Sequence, residues 1–241
     1  MSQHYFTSVP AATESELTQK EFQIRGRQYT VNLADQVFSH QKLDLATSVL
    51  LDFVPTATGP ALDLGCGWGP ITLGLCADIS QAEDAPQVRE PGCDPKGELP
   101  WVLGVDVNER ALDLTNRNLQ QAGFSQALPE ENGSQPADGT YARTLGKALL
   151  APEALALLKH HNWQFQTIWS NPPIRIGKEA LHELLLTWLP FLAPQGAAYL
   201  VVGNNLGAGS LMKWLIEQGY PTEKVKSKKG FAILRVQKPP Q

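Results

Sequence analysis

The sequence predicts an α/β fold: one doubly wound, mostly parallel sheet, closed by an antiparallel hairpin and carrying a small N-terminal hairpin and helix. Three observations lead there. First, Ala61-Leu62-Asp63-Leu64 is a short apolar run ending near an acid, followed by glycines at 65, 67 and 69 and then by Pro70 at the head of a helical pattern. That is a strand, a tight turn and a helix in immediate succession. Second, apolar runs at 101–106, 165–170 and 197–202 alternate with helical stretches, the order expected of parallel strands joined by crossover helices. Third, the chain finishes with Val225 and residues 231–236 either side of the turn Ser227-Lys228-Lys229-Gly230, a closing hairpin.

Taken in order, residues 1–20 are polar and patternless and are expected to form a loosely held arm. Phe22, Ile24, Tyr29, Val31 and Leu33 alternate about Arg25-Gly26-Arg27, which predicts a hairpin with a glycine turn. Leu43, Ala46, Val49, Leu50 and Phe53 form a helical stripe that stops before Pro55. Residues 1–55 are read as an arm, hairpin and helix packed on the core, a lid over the ligand end, and 56–241 as the main unit of one globular body. After the glycine loop and its helix, residues 80–100 contain four prolines and no apolar periodicity, and are read as a loosely ordered insertion. The second strand, 101–106, ends in Asp106, and Asn108 is placed to cap the helix that follows. Residues 125–140 are again polar. The third strand is expected at 141–145, a helix at 152–160, the fourth strand at 165–170, a helix at 177–189, the fifth strand at 197–202 and a helix at 210–219.

Composition narrows the function. The formal net charge is −4, but residues 80–100 carry five acids and two bases, and 125–140 carry three acids and no base. The remainder of the chain is therefore +2, and overall acidity does not exclude a nucleic-acid substrate. The richest apolar stretch, 184–193, is broken by Thr187 and Pro190, so no membrane association is expected. The polar N-terminus lacks a signal-peptide core, and Cys66, Cys76 and Cys93 form no C-x-x-C pair. A cytoplasmic protein without disulfides or a metal site is the expectation; the five histidines show no ligand spacing.

In open α/β sheets ligands bind beyond the carboxyl ends of the strands. The glycine loop, Asp106 and Asn171-Pro172-Pro173-Ile174 all fall there. The loop reads G-x-G-x-G rather than the dinucleotide G-x-G-x-x-G. Asp63 would repel a diphosphate but suits the ammonium of an amino-acid moiety. Asp106 suits a ribose diol; its distance from Gly65 is about twice the usual ~20 residues, an excess the 80–100 insertion accounts for. Two successive prolines supply no N–H, so the carbonyls of Ser170, Asn171 and Pro172 are expected to be free acceptors beside the Asn171 amide. Such a set receives a planar amino group, whose lone pair is delocalised. It would hold both N–H bonds and stabilise the charge that develops on nitrogen during substitution.

On these residues the chain, from about Glu21 onward, resembles the methyltransferase small family, which includes bacterial ribosomal RNA guanine-N2 methyltransferases. The likeness rests on the 63–69 loop, Asp106, Ser170-Asn171-Pro172-Pro173, and Phe38-Ser39 followed by Leu43-Asp44 and Thr47. It implies a Rossmann-like class I methyltransferase fold using S-adenosyl-L-methionine. It places Asp63, Gly65, Gly67 and Gly69 at the methionine part and Asp106 at the ribose. Asn171, Pro172 and Pro173 fall at the target amine and are the catalytic set, while the Phe38–Thr47 segment falls near the cofactor. Ile174, Arg175 and Lys178 follow as substrate-binding candidates. Three departures stand out. Ile174 occupies a usually aromatic position, no acid is evident after the third strand, and the roughly 20 residues before the hairpin are too few for the additional N-terminal domain expected from the ribosomal enzymes.

The expected reaction is methylation of a planar exocyclic amine, guanine N2 in ribosomal RNA, with RNA as the partner. A protein glutamine amide is the alternative amine. Two other classes stay open, a non-catalytic cofactor-binding protein and a nicotinamide-dependent dehydrogenase. Lysines at 224, 226, 228, 229 and 238 with Arg235 crowd the closing hairpin. They suit either phosphate contacts or the blunting of a sheet edge.

Overall fold

The computed structural model describes residues 9–38, 42–81, 101–125 and 145–240. Its centre is a seven-stranded sheet built from β3 (Ala61–Leu64), β4 (Val102–Asp106), β5 (Gly146–Leu150), β6 (Phe165–Ser170), β7 (Leu192–Gly203), β8 (Thr222–Lys228) and β9 (Phe231–Gln237). Their spatial order is β5-β4-β3-β6-β7-β9-β8, with only β9 antiparallel to its neighbours. Chain order reverses between β3 and β6, so the crevice for a ligand opens at the carboxyl ends of those two strands. A separate two-stranded hairpin, β1 (Thr18–Ile24) and β2 (Arg27–Leu33), turns through Arg25 and Gly26, both at positive φ.

Among the described residues, six α-helices cover the sheet. On one face α1 (Leu45–Phe53), α2 (Pro70–Ile79), α3 (Glu109–Gln121) and the hairpin share a core with Ala61, Val102, Trp169, Val201 and Ile233. On the other, α4 (Ala151–His161), α5 (Lys178–Trp188) and α6 (Ala208–Glu217) pack against Leu62, Leu103, Ile168, Leu200 and Leu234. Successive strand residues divide between the two cores, as the two-residue period of a strand requires.

The doubly wound sheet and closing hairpin match the sequence expectation, and three details differ. The third strand lies at 146–150, where 141–145 was expected; residues 141–144 are outside the described set, as are 82–100 and 126–140 of the two expected insertions. Gly-Lys-Ala-Leu-Leu has little intrinsic strand character, and its pairing with β4 from Val102–Gly146 to Asp106–Leu150 sets its conformation instead. The expected loose arm is anchored from residue 9 onward. Val9 and Pro10 carbonyls accept from the Arg110 backbone and side chain, Glu16 pairs with Arg110 at 3.0 Å, and Ala12 is buried. Finally, the hairpin lies against α2 and α3 rather than over the ligand end, with Phe22 stacked on Trp68 at 5.3 Å. The segment after it borders that end, where the Gln36 carbonyl accepts from Asn108.

Candidate active site

The glycine loop is held by its own surroundings. Gly65 and Cys66 donate backbone N–H bonds to the Val105 carbonyl on β4, and Gly69 donates to Cys66. Thr115 on α3 donates its hydroxyl to the Gly67 carbonyl at 2.9 Å, and Asn118 donates its amide to the Trp68 carbonyl at 2.9 Å. Gly69, at φ 94°, caps α2; a Cβ there would sit 3.0 Å from the Thr115 side chain. Gly65 and Gly67 also have positive φ, yet a Cβ on either would meet nothing within 4 Å. Their side of the loop is open space, and the missing side chains let a ligand lie against the main chain.

Two acids meet this loop. Asp106 accepts from the Gly67 N–H at 3.0 Å and from the N–H groups of Val107 and Asn108 at 2.8 and 3.0 Å. Three of a carboxylate's roughly four acceptor directions are thus taken, leaving capacity for about one hydroxyl donor. Burial raises its pKa, opposed by those three backbone donors. Beside it Val107 is 49% exposed, an apolar surface at the same strand end. Asp63 is fully buried. Thr72 in the first turn of α2 donates to its Oδ2 at 2.6 Å, while Oδ1 has no hydrogen-bond partner. Desolvation lifts its pKa to about 7, against the Thr72 bonds that lower it.

At the end of β6 the Ser170 hydroxyl donates to the Leu64 carbonyl at 2.6 Å, locking that strand end to the end of β3. Asn171 follows, and its Nδ2 donates to Asp44 Oδ2 at 2.9 Å and to Thr47 Oγ1 at 3.0 Å. Asp44 also caps α1 by accepting from the Thr47 N–H. A carboxylate only accepts, so the amide must present NH₂ to it and Oδ1 elsewhere. One side chain therefore starts the helix and sets the orientation of Asn171. Sequence reasoning placed Asp44 and Thr47 near the cofactor by resemblance and missed this role.

The Pro-Pro turn differs from expectation in one acceptor. The Pro172 carbonyl is taken by the Ile174 N–H at 2.8 Å and is not free. The backbone folds back into a 3₁₀ turn, Ile174–Ile176, because Ile174 and Ile176 pack on the α4–α6 core. Pro172 is buried and Pro173 half-buried. Lys178 is exposed in the first turn of α5; the Arg175 side chain lies outside the described set. The structure thus gathers the glycine loop, Asp106 and Asn171 at the carboxyl ends of β3, β4 and β6, with Asp63 at the end of β3 before the loop.

The model for the methyltransferase small domain matches residues 28–86 and 153–235, more than half of the chain. The chain belongs to the methyltransferase small domain family. Over 99% of its length it is 27% identical to the whole of the uncharacterized protein YbxB of Bacillus subtilis. It is 28% identical to ribosomal RNA small subunit methyltransferase C of Aeromonas hydrophila over 73% of this chain and 41% of that one. Among solved structures, the T. thermophilus 16S rRNA N2 guanosine methyltransferase RsmC, in complex with AdoMet and guanosine, superposes with a TM-score of 0.66 at 20% identity. That match covers 94% of this chain and 52% of that one. The chain thus spans about half or less of the length of these rRNA methyltransferases. Family and fold together make it a class I methyltransferase whose cofactor is S-adenosyl-L-methionine. The site fits that cofactor: the cradle at Gly65 and Gly67 is open, Asp63 has an unpartnered oxygen, and two acids oppose a diphosphate.

Proposed function

We infer that this protein methylates a planar exocyclic amine, guanine N2 in ribosomal RNA, with Asn171 as the residue that receives the amine. The observation that carries this is the Asn171 clamp. With its NH₂ committed to Asp44 and Thr47, the amide has one atom left for a ligand, the acceptor Oδ1. An acceptor fixed at the end of β6 suits an N–H donor and would not assist a carbonyl or phosphoryl substrate. The rRNA methyltransferases that the chain resembles favour RNA over protein as the source of that amine.

In this reading Gly65 and Gly67 leave room for the methionine part, Asp63 Oδ1 takes its ammonium, and Asp106 takes one ribose hydroxyl. When bound, S-adenosyl-L-methionine supplies an electrophilic methyl group on a sulfonium. Asn171 Oδ1 accepts one N–H of the target amine, holds its orientation and stabilises the positive charge that grows on nitrogen. The Asn171 backbone carbonyl is the candidate for the second N–H. The extra proton then leaves to water, so no strong general base is needed. Ile174 offers apolar contact to a base, and Arg175 and Lys178 serve the flanking phosphates.

The test is tritium transfer from labelled S-adenosyl-L-methionine into unmodified small-subunit ribosomal RNA and, separately, into a protein fraction. Label at guanine N2 supports the reading. Label confined to protein overturns the substrate assignment and leaves the family standing.

A further inference from the structure

We propose that Lys226 and Lys228, held over the ring of Phe53, form a clamp for a phosphodiester of the RNA strand that flanks the target nucleotide. This rests on the RNA reading above and concerns a site remote from the glycine loop.

Three features make the pair more than scattered surface charge. Lys226 Nζ lies 4.7 Å and Lys228 Nζ 4.5 Å from the centroid of the Phe53 ring at the end of α1. Two ammonium groups are thereby confined to one small patch, each gaining from the ring's negative face while repelling the other. Neither forms an ion pair among the described residues. Asp52, next to Phe53, is exposed and pairs with neither, and Glu223 is committed to Arg235 at 2.9 Å. An anion bound at this patch would be attracted by both ammonium groups and offset the repulsion between them.

The register explains how both lysines reach one side. A break in the pairing of β8 with β9 between Lys224 and Lys226 shifts the alternation. Lys224 thus shares a surface groove with Ser227 and α6, while Lys226 and Lys228 turn toward α1 opposite Ile233 and Phe231. β8 is the outermost strand of the sheet, so its free edge is open to a long ligand.

Distance to the site supports an RNA strand as the occupant. α1 is capped at its start by Asp44, which holds Asn171, and ends at Phe53, over which the lysines lie. Nine helical residues measure about 13 Å. An RNA strand with its target amine at Asn171 would have its neighbouring phosphates within that span. Phosphate contacts of this kind position a strand without reading its sequence.

The experiment measures binding of a fluorescein-labelled fragment of unmodified small-subunit ribosomal RNA to the full-length protein across a series of KCl concentrations. The wild type is compared with Lys226→Gln/Lys228→Gln and Lys226→Arg/Lys228→Arg. Calorimetry with S-adenosyl-L-methionine confirms that each variant is folded. The double glutamine variant should bind more weakly, its slope of log affinity against log salt shallower by about 1 for each lysine lost. The arginine variant should restore the slope. Equal affinity and slope in the wild type and the glutamine variant would overturn the clamp while leaving the RNA reading intact. A wild type that binds cofactor but no RNA would remove both.

Discussion

The two halves of the crevice are built differently. The cofactor half is assembled from shorter-range bonds. Asp63 is bonded nine residues on to Thr72, and Gly67 is bonded to Asp106 and Thr115, 39 and 48 residues away. The acceptor half depends on a bond spanning 127 residues, from Asn171 at the end of β6 to Asp44 at the start of α1. One half is a property of the strand–loop–helix unit and the β4 end beside it. The other exists only once the N-terminal segment has docked across the sheet. Substitutions in the acceptor half should therefore change turnover without changing cofactor affinity, and substitutions in the cofactor half should do the reverse.

Asn171→Ala gives the sharpest version of that contrast. Removing a fixed hydrogen-bond partner from a developing charge costs about 10²–10³ in rate. We expect a loss of that size in kcat with the dissociation constant of S-adenosyl-L-methionine changed by no more than a few-fold. Parallel loss of both would show that Asn171 holds the turn and not the amine. Asp106→Ala should show the opposite pattern. It removes the proposed ribose acceptor, the bond that ties Gly67 of the glycine loop to β4, and two bonds that order the turn from β4 into α3. A hydrogen bond to a charged group contributes about 1.5–3 kcal/mol, so cofactor affinity should fall roughly ten- to hundredfold. An unchanged dissociation constant would remove Asp106 from the cofactor site.

Asp44 tests the long-range bond itself. Asp44→Ala leaves the Asn171 amide held by Thr47 alone and removes the cap of α1. We expect kcat to drop about tenfold, the value of one modest hydrogen bond, and stability to fall by about 1 kcal/mol. Asp44→Asn keeps the cap and should recover the stability, with kcat between the two. A shift in cofactor affinity matching the fall in kcat would contradict a positioning role and place Asp44 in the cofactor half.

The same division governs how much was legible beforehand. The glycine loop, β4 with Asp106, and β6 with its Asn-Pro-Pro turn are local patterns, and a strand–turn–helix signal survives without tertiary context. β5 did not, because Ala148, Leu149 and Leu150 favour a helix as readily as a strand until β4 pairs with them. The arm failed for a related reason: Val9, Pro10 and Glu16 are held by Arg110, about a hundred residues away. The free Pro172 carbonyl failed because packing of Ile174 on the core turns that residue's N–H back onto it. The Asp44–Asn171 clamp was out of reach altogether. No spacing rule connects a helix cap to a residue past the fourth strand of the main sheet.

The smallest effect is the pH response of Asp63, which belongs wholly to the cofactor half. Its carboxyl is buried beside Thr72 and titrates at about 7 instead of 3.8. The folded protein therefore holds this proton more tightly than the unfolded chain. Stability from this group is greatest below the unfolded value and declines as pH rises from about 4 to about 7, after which the buried charge opposes folding by a constant amount. In the proposed binding mode the cofactor has the opposite effect, since an ammonium at Asp63 Oδ1 would favour the ionised form. Affinity should rise a few-fold as pH increases through 7, and below that pH binding should release a proton. Asp63→Asn removes the titration. It should be more resistant to urea than the wild type at pH 8, similar to it near pH 4, and weaker for S-adenosyl-L-methionine at both. Calorimetry in two buffers of different ionisation enthalpy counts the proton directly. Binding that is flat from pH 6 to 8 with no proton released would show that Asp63 supports the loop through Thr72 alone, and the ammonium would need another partner.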